Sequence, residues 1–309
     1  MFSVIIPAKN ESENITRCIR SILKSVGDGT EIEIIVIDNG SEDNTVKLAQ
    51  KAGAKVYVNY ERNISGLRNL GASMARFEIL AFLDADCEVP SGWLLNAKKN
   101  LEGECVGIVG AFPTVPDNGA SWIEKVMYGH NPIYRKKVKY IGSCNMIMRK
   151  SLFNEVGGFR ESAITGEDYI LCESVKRLGY NIITDPVLSV IHYGYPKSLK
   201  AFFKRELWHG LGMIDLLIAG RLTLPLVWAV LNLVVLLFVV SSIFIGNFKL
   251  LVFQVIILFF LPLLAAFQRM YRSRHKSGIF KLYVVFLFYG CARTISLIKI
   301  FFVKWRVSV

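Results

Sequence analysis

The sequence predicts an α/β domain, a mostly parallel sheet covered by helices, followed by a membrane domain. Three observations carry this reading. Short β-branched runs alternate with amphipathic segments as far as residue 195. Long uncharged apolar runs fill the C-terminal third. Charge is also divided: Met1–Tyr195 hold 22 Lys+Arg against 23 Asp+Glu, whereas Pro196–Val309 hold 15 against 2. The formal charge of +12 on 309 residues therefore lies beside the apolar runs, where it reads as a membrane surface. A nucleic-acid binder would carry its charge on the folded polar half, which is neutral here.

The strand candidates are SVIIPA (3–8), EIEIIVID (31–38), AKVYVN (54–59), EILAFLD (78–84) and CVGIVGAF (105–112), each bounded by polar or glycine residues. Between the first two, Ile15, Ile19, Ile22, Leu23 and Val26 recur at helical spacing. Further helices are expected over 43–52, 64–76, 91–101 and 167–178, the last with an apolar face of Ile170, Leu171, Val175 and Leu178. Ligands of such sheets bind beyond the carboxyl ends of the strands, so chemistry is sought just after each run.

The segment 196–220 is basic and aromatic and suits the headgroup layer. Within 221–309, two spans are expected over 222–245 and 250–268, joined by a turn at Gly246–Phe248. The following loop, with Arg269, Arg272, Arg274, Lys276 and Lys281, is expected in the cytoplasm, as is the N-terminal domain. A third apolar segment, 282–303, contains Arg293 and Lys299 and is open to three readings, a span, a re-entrant segment or an interfacial helix, of which the interfacial one, with Arg293 facing its surface, is slightly preferred. MFSVIIPAKNE lacks the basic start and long apolar stretch of a secretion signal. The expected location is the inner cell membrane, multi-pass, with the catalytic domain cytoplasmic. Cys18, Cys87, Cys105, Cys144, Cys172 and Cys291 are scattered without a zinc-type cluster and read as small apolar residues.

Candidate chemistry lies at the predicted strand ends. In FLDADCEVP, Asp84 and Asp86 follow a buried-strand pattern, and carboxylates so placed converge on a hard divalent cation. Alone, such a pair is as well explained by a solvated turn. In IIVIDNGSEDNT, Asp38 ends a strand before a Gly/Ser/Asn turn, where an Asx turn or helix cap is the simpler reading. Asn10 and Glu11 after the first strand could equally cap the next helix. Arg68, within NISGLRNLGASMAR, suits a diphosphate, although a single helical Arg is usually solvated. Four such signals at four successive element ends are harder to explain one by one.

The order VIIPAKNE, VIDNGSEDNT, GLRNLGA, FLDAD, GGF and GED resembles the inverting glycosyltransferases of family 2, with their GT-A fold, over residues 2–195. The resemblance implies a nucleotide-diphosphate sugar donor, UDP-linked by expectation, and a Mg²⁺ or Mn²⁺ cofactor. It places Pro7, Ala8, Asn10 and Glu11 around the base and ribose, Asp38 on the base and Arg68 near the diphosphate. Asp84 would lie near ribose and metal, Asp86 would be the principal metal ligand, and His192 a metal or diphosphate contact. In YIGSCNMIMRK, Gly142, Ser143 and Asn145 would lie near the transferred sugar. Asp168, beside Glu167, would be the general base.

The chemistry of an attacking hydroxyl calls for such a base independently. The full QxxRW pattern of processive synthases is missing. The membrane segments imply a membrane-held, lipid-linked acceptor in cell-surface polysaccharide or glycolipid synthesis, with membrane lipids as partners. Two alternatives are a polyprenyl-phosphate sugar synthase, whose acceptor needs no base, and a non-catalytic membrane scaffold. The first strand ends in PAKNE, not GxGxxG, which argues against a dinucleotide oxidoreductase.

Overall fold

The computed structural model describes residues 1–27, 29–129, 134–218, 220, 222–273 and 278–307, with side chains undescribed at 272–273 and 301–307. Arg274 and Lys276 of the expected basic loop, and the side chain of Arg272, lie outside the described residues. The chain divides into two compact units, one of Met1–Gly119, Asn131–Ala163 and Glu167–Tyr195, the other of Ala120–His130, Ile164–Gly166 and Pro196–Val309.

In the first unit the strands are β1 (Phe2–Ala8), β2 (Ile32–Asp38), β3 (Lys55–Val58), β4 (Ile79–Leu83), β5 (Cys87–Glu88), β6 (Val106–Gly110), β7 (Lys136–Lys137), β8 (Asn145–Arg149), β9 (Asn181–Thr184) and β10 (Ile191–His192). The main sheet runs β3-β2-β1-β4-β8-β6-β9-β7. It is mixed: β8 runs antiparallel to both β4 and β6, and β7 antiparallel to β9.

Because side chains alternate along a strand, β1 feeds two cores. Val4 and Ile6 pack with Ile15, Cys18, Ile19 and Ile22 of helix α1 (Ile15–Lys24). Ile5, on the other face, packs with Leu67 of helix α3 (Ile64–Met74). Helices α2 (Thr45–Lys51), α4 (Trp93–Leu101), α6 (Lys150–Glu155) and α7 (Glu167–Arg177) complete the two covering layers. The helical periods thus fold where the sequence places them, each shortened by a residue or two at its ends.

In the second unit, α5 (Trp122–Tyr128), α8 (Leu199–Leu211) and α9 (Met213–Ile218) accompany α10 (Leu224–Ile245), α11 (Phe248–Ser273) and α12 (Ile279–Val307). The last three are long and apolar enough to cross a membrane. Gly246 ends α10 in the left-handed conformation (φ 71°), and Ser242 Oγ donates to Gln254 Oε1 across the α10–α11 hairpin at 2.9 Å.

The expectation that Arg293 faces a surface is corrected here. Arg293 is 9% exposed, and its Nη2 donates to Glu206 Oε2 of α8 at 2.5 Å. Beside it Ser296 Oγ donates to the Leu207 carbonyl at 2.7 Å. A charge this deep is tolerated only with a partner, and Glu206 is one of the two acidic residues in the C-terminal third.

Candidate active site

The parallel strands β1, β2 and β4 end side by side, and antiparallel β8 begins beside them, pairing Asn145 with Leu83. That reversal brings Gly142–Cys144 against the end of β4, where the Asp84 N–H donates to the Cys144 carbonyl at 3.3 Å. The loops after β1 and β2 are tied to each other. Asn10, in the left-handed region (φ 55°), donates its N–H to Ser41 Oγ (2.8 Å), and its Oδ1 accepts from the Glu42 N–H (2.9 Å). Buried Asp38 accepts from the Ser41 N–H (2.8 Å) and hydroxyl (2.5 Å), three residues on, which fixes the turn after β2. Pro7 and Ala8 are buried within β1, and it is Asn10 and Glu11 that reach the edge.

Arg68 organises the centre. It is 3% exposed; Nη2 donates to Asp84 Oδ1 at 2.8 Å and Nη1 to Glu167 Oε1 at 2.9 Å. Nη1 and Nη2 of its guanidinium thus each hold a carboxylate, one from the end of β4 and one from the start of α7. The Phe159 ring lies 5.7 Å from its Cζ. That ring is set by the GGF segment: Gly158 is left-handed (φ 70°), and a Cβ there would lie 2.9 Å from Asn69 Oδ1. Asn69 in turn accepts from the Phe159 N–H at 2.9 Å and donates to its carbonyl at 2.8 Å.

Glu167 and Asp168 open α7, with Asp168 beside the Gly142–Ser143 turn: a Cβ on Gly142 would lie 3.6 Å from Asp168 Oδ2. Burial, aided by the neighbouring Glu167 charge, pushes the Asp168 carboxyl up to about 7, against the pull of Tyr169 and Ser143 N–H groups and Arg68. The Tyr169 N–H reaches Asp168 Oδ1 at 2.6 Å.

Asp86 and His192 meet because the β5–β10 ribbon pairs Cys87 with His192. His192 Nε2 lies 3.6 Å from Asp86 Oδ1, its Nδ1 accepts from the Gly194 N–H at 3.2 Å, and its ring stacks on Tyr195 at 4.2 Å. Ligand atoms of Asp86, Cys87 and His192 lie within 4.8 Å of one another. Burial raises the Cys87 thiol well above its usual range, and a thiol is a soft ligand, so a hard cation there would be held by Asp86 and His192.

The charge balance fits a cation. The Glu11 carboxyl is raised by burial and by the charges of Asp86, Asp84 and Asp43, although Asn14 donates to it. These carboxylates repel one another, and a bound cation would offset that repulsion.

Two residues stand apart from their sequence readings. Asn145 is fully buried: it accepts from Trp93 Nε1 (3.1 Å) and donates to the Ala111 (3.0 Å) and Leu188 (2.8 Å) carbonyls, so its amide is spent inside the domain and does not face the edge. Cys144, read as a plain apolar residue, sits among Asp84, Asp168, Arg68 and Asp86, its thiol raised well above the usual range by burial and by these carboxylates. Gly194 was also missed: a Cβ there would fall 1.8 Å from Asp86 Oδ2. Its position two residues after His192 is the one signal the sequence offers.

The chain is similar to known proteins in sequence and in fold. The chain is 28% identical to glycosyltransferase AglE of Haloferax volcanii over 239 residues, covering 74% of this chain and 77% of that protein. It is 24% identical over 229 residues to a dolichyl N-acetyl-α-D-glucosaminyl phosphate 3-β-D-2,3-diacetamido-2,3-dideoxy-β-D-glucuronosyltransferase of Methanococcus voltae, covering 67% and 71%. The mannosyltransferase PcManGT of Pyrobaculum calidifontis, solved with GDP-Man and Mn²⁺, shares the fold with a TM-score of 0.62 at 15% identity, over 98% of this chain and 87% of that one. Residues 3–157 match the family described as Glycosyl transferase family 2. Acidic strand ends on a GT-A sheet, a match through half the chain and relatives that transfer sugars lead to one assignment: this chain is a glycosyltransferase and belongs to glycosyl transferase family 2.

Proposed function

We propose that the protein transfers a sugar, with inversion, from a nucleotide-diphosphate donor to a hydroxyl of a lipid-linked acceptor held in the membrane. The observation that carries this is the place of Asp168, opening α7 beside the Gly142–Ser143 turn at the end of β4, with burial and Glu167 pushing its carboxyl up to about 7. An acceptor hydroxyl is a weak nucleophile, and a base near neutral pKa takes its proton as it attacks the anomeric carbon. Attack from the side of Asp168, with the diphosphate departing toward Asp86, inverts that carbon.

The tied loops bearing Asn10 and Asp38 form the wall for the base and ribose. Arg68 holds Asp84 and Glu167 in place, so that Asp84 keeps one oxygen for the donor. Asp86 and His192 would hold a divalent cation, which when bound supplies positive charge to the leaving diphosphate. The three long apolar helices suggest membrane association, and the basic residues beside them support a cytoplasmic catalytic unit. The Methanococcus relative, named for a dolichyl-phosphate-linked substrate, supports an acceptor on a lipid.

Membranes containing the protein, given labelled UDP- and GDP-sugars, should move label into the lipid fraction with Mn²⁺ present and lose that transfer in EDTA. Metal-dependent transfer to no lipid at all would sink the reading. Gly194→Ala provides a second check. The new methyl group displaces Asp86, so donor turnover should drop about a hundredfold while the melting temperature of the donor-free protein stays near wild type. Unchanged turnover would remove Asp86 from the site.

A further inference from the structure

The helices of the second unit line a half-open cleft of about 340 Å³ among α10, α11 and α12. Its walls include Trp228, Pro262 and Phe286, with Asn232, Arg269 and Tyr289 as polar points. Resting on the reading above, we propose that this cleft holds the lipid of the acceptor, an anionic lipid phosphate or diphosphate, with the chain between the helices and the phosphate at Arg269.

Four observations support it. Membrane helices pack closely, usually through small residues, and a void of this size forfeits contacts unless something fills it. Here one residue keeps it open. Gly290 puts no side chain into the space before Asn232, whose amide would lie 3.4 Å from a Cβ there.

The lining is one-signed. Arg269 contributes a positive charge and no Asp or Glu lines the cleft. Arg269 is itself oriented, its Nη2 donating to the Met127 carbonyl at 2.9 Å. Basic pockets between membrane helices on the cytoplasmic side are where phosphorylated headgroups bind.

The cleft also has a definite depth. It is lined from the first turns of α10 (Leu224 to Asn232), the last turns of α11 (Leu261 to Arg269) and the first half of α12 (Phe286 to Gly290). In an α10–α11 hairpin these lie at the same end, the end that leads into the basic loop and is cytoplasmic by charge.

The volume is near the lower limit for ligand pockets, about 300–1,000 Å³. That suits the leading segment of a single chain, and two-chain phosphatidylglycerol is the competitor to test against.

The test uses the full chain in phosphatidylcholine nanodiscs and a diazirine-bearing geranylgeranyl phosphate. Photolabel should map to peptides containing Trp228 and Phe286, and should be displaced by unlabelled polyprenyl phosphate but not by phosphatidylglycerol. Gly290→Leu, which fills the cleft, and Arg269→Gln should each cut labelling about tenfold or more, a loss of roughly 1.4 kcal/mol. Arg269→Lys should keep most of it.

Labelling elsewhere, equal displacement by phosphatidylglycerol, or wild-type labelling of both variants would each overturn the proposal. If Gly290→Leu fails to fold, judged by donor-dependent thermal shift, the Arg269 pair decides. Labelling needs no sugar transfer, so a protein inactive on every lipid acceptor would defeat the functional reading while the photolabel still reports on the cleft.

Discussion

Asp168→Asn is expected to leave nucleotide-sugar binding at its wild-type strength and to lower kcat for a hydroxyl acceptor by between about a hundredfold and ten-thousandfold. The substitution keeps the shape of the side chain and removes only the proton acceptor. The wild type should show kcat/KM rising through an apparent pKa of about 7, and the residual activity of the variant should lose that dependence. The sign for stability is opposite. A carboxyl that titrates higher in the folded protein than in the unfolded chain costs the fold when it ionises, so wild-type stability falls as pH rises from the ordinary carboxylate range to about 7. The asparagine variant escapes that cost and should be the more stable protein at pH 8, with no advantage near pH 4. Full activity of the variant on polyprenyl phosphate, already ionised, would favour the synthase alternative.

The second large effect concerns Arg68. Its removal leaves Asp84 and Glu167 facing each other with no cation between them. Arg68→Met should cost about 3 kcal/mol, the lower end for breaking a buried pair, because the Asp84 side chain keeps 30% exposure. The measurement is denaturant unfolding of the detergent-solubilised protein. Adding Glu167→Gln should restore part of the loss by removing one of the stranded charges. A single variant as stable as wild type would show that Arg68 is no clamp.

Strands β1–β4 and β6 and helices α1–α4 and α7 were legible because their signals are local, whereas β5, β7, β9, β10 and α6 are too short to carry one. Alternation along EIEIIVID and the spacing of Ile15, Ile19 and Ile22 are written within one element each. The candidate edge was legible for a related reason: in parallel strands, the residue after each run falls on the same side. What the sequence hides is what a side chain is paired with across the chain. Nothing within GLRNLGA says that Arg68 will be taken by Asp84, 16 residues on, and Glu167, 99 residues on.

Arg293 repeats the lesson, since its partner Glu206 lies 87 residues earlier. Cys144 and Asn145 are neighbours whose roles diverge because strand pairing turns one toward the carboxylates and the other into the core. The reversal of β8 was equally hidden, because strand direction depends on connections and not on composition.

Asn145 has a consequence of its own. One amide joins the helix that carries Trp93 to the backbones at Ala111 and Leu188, a keystone set behind the surface proposed to meet the donor. The groups at that surface lie on turns in front of it. Donor preference could therefore drift by exchange of the front turns alone, with the masonry behind left standing.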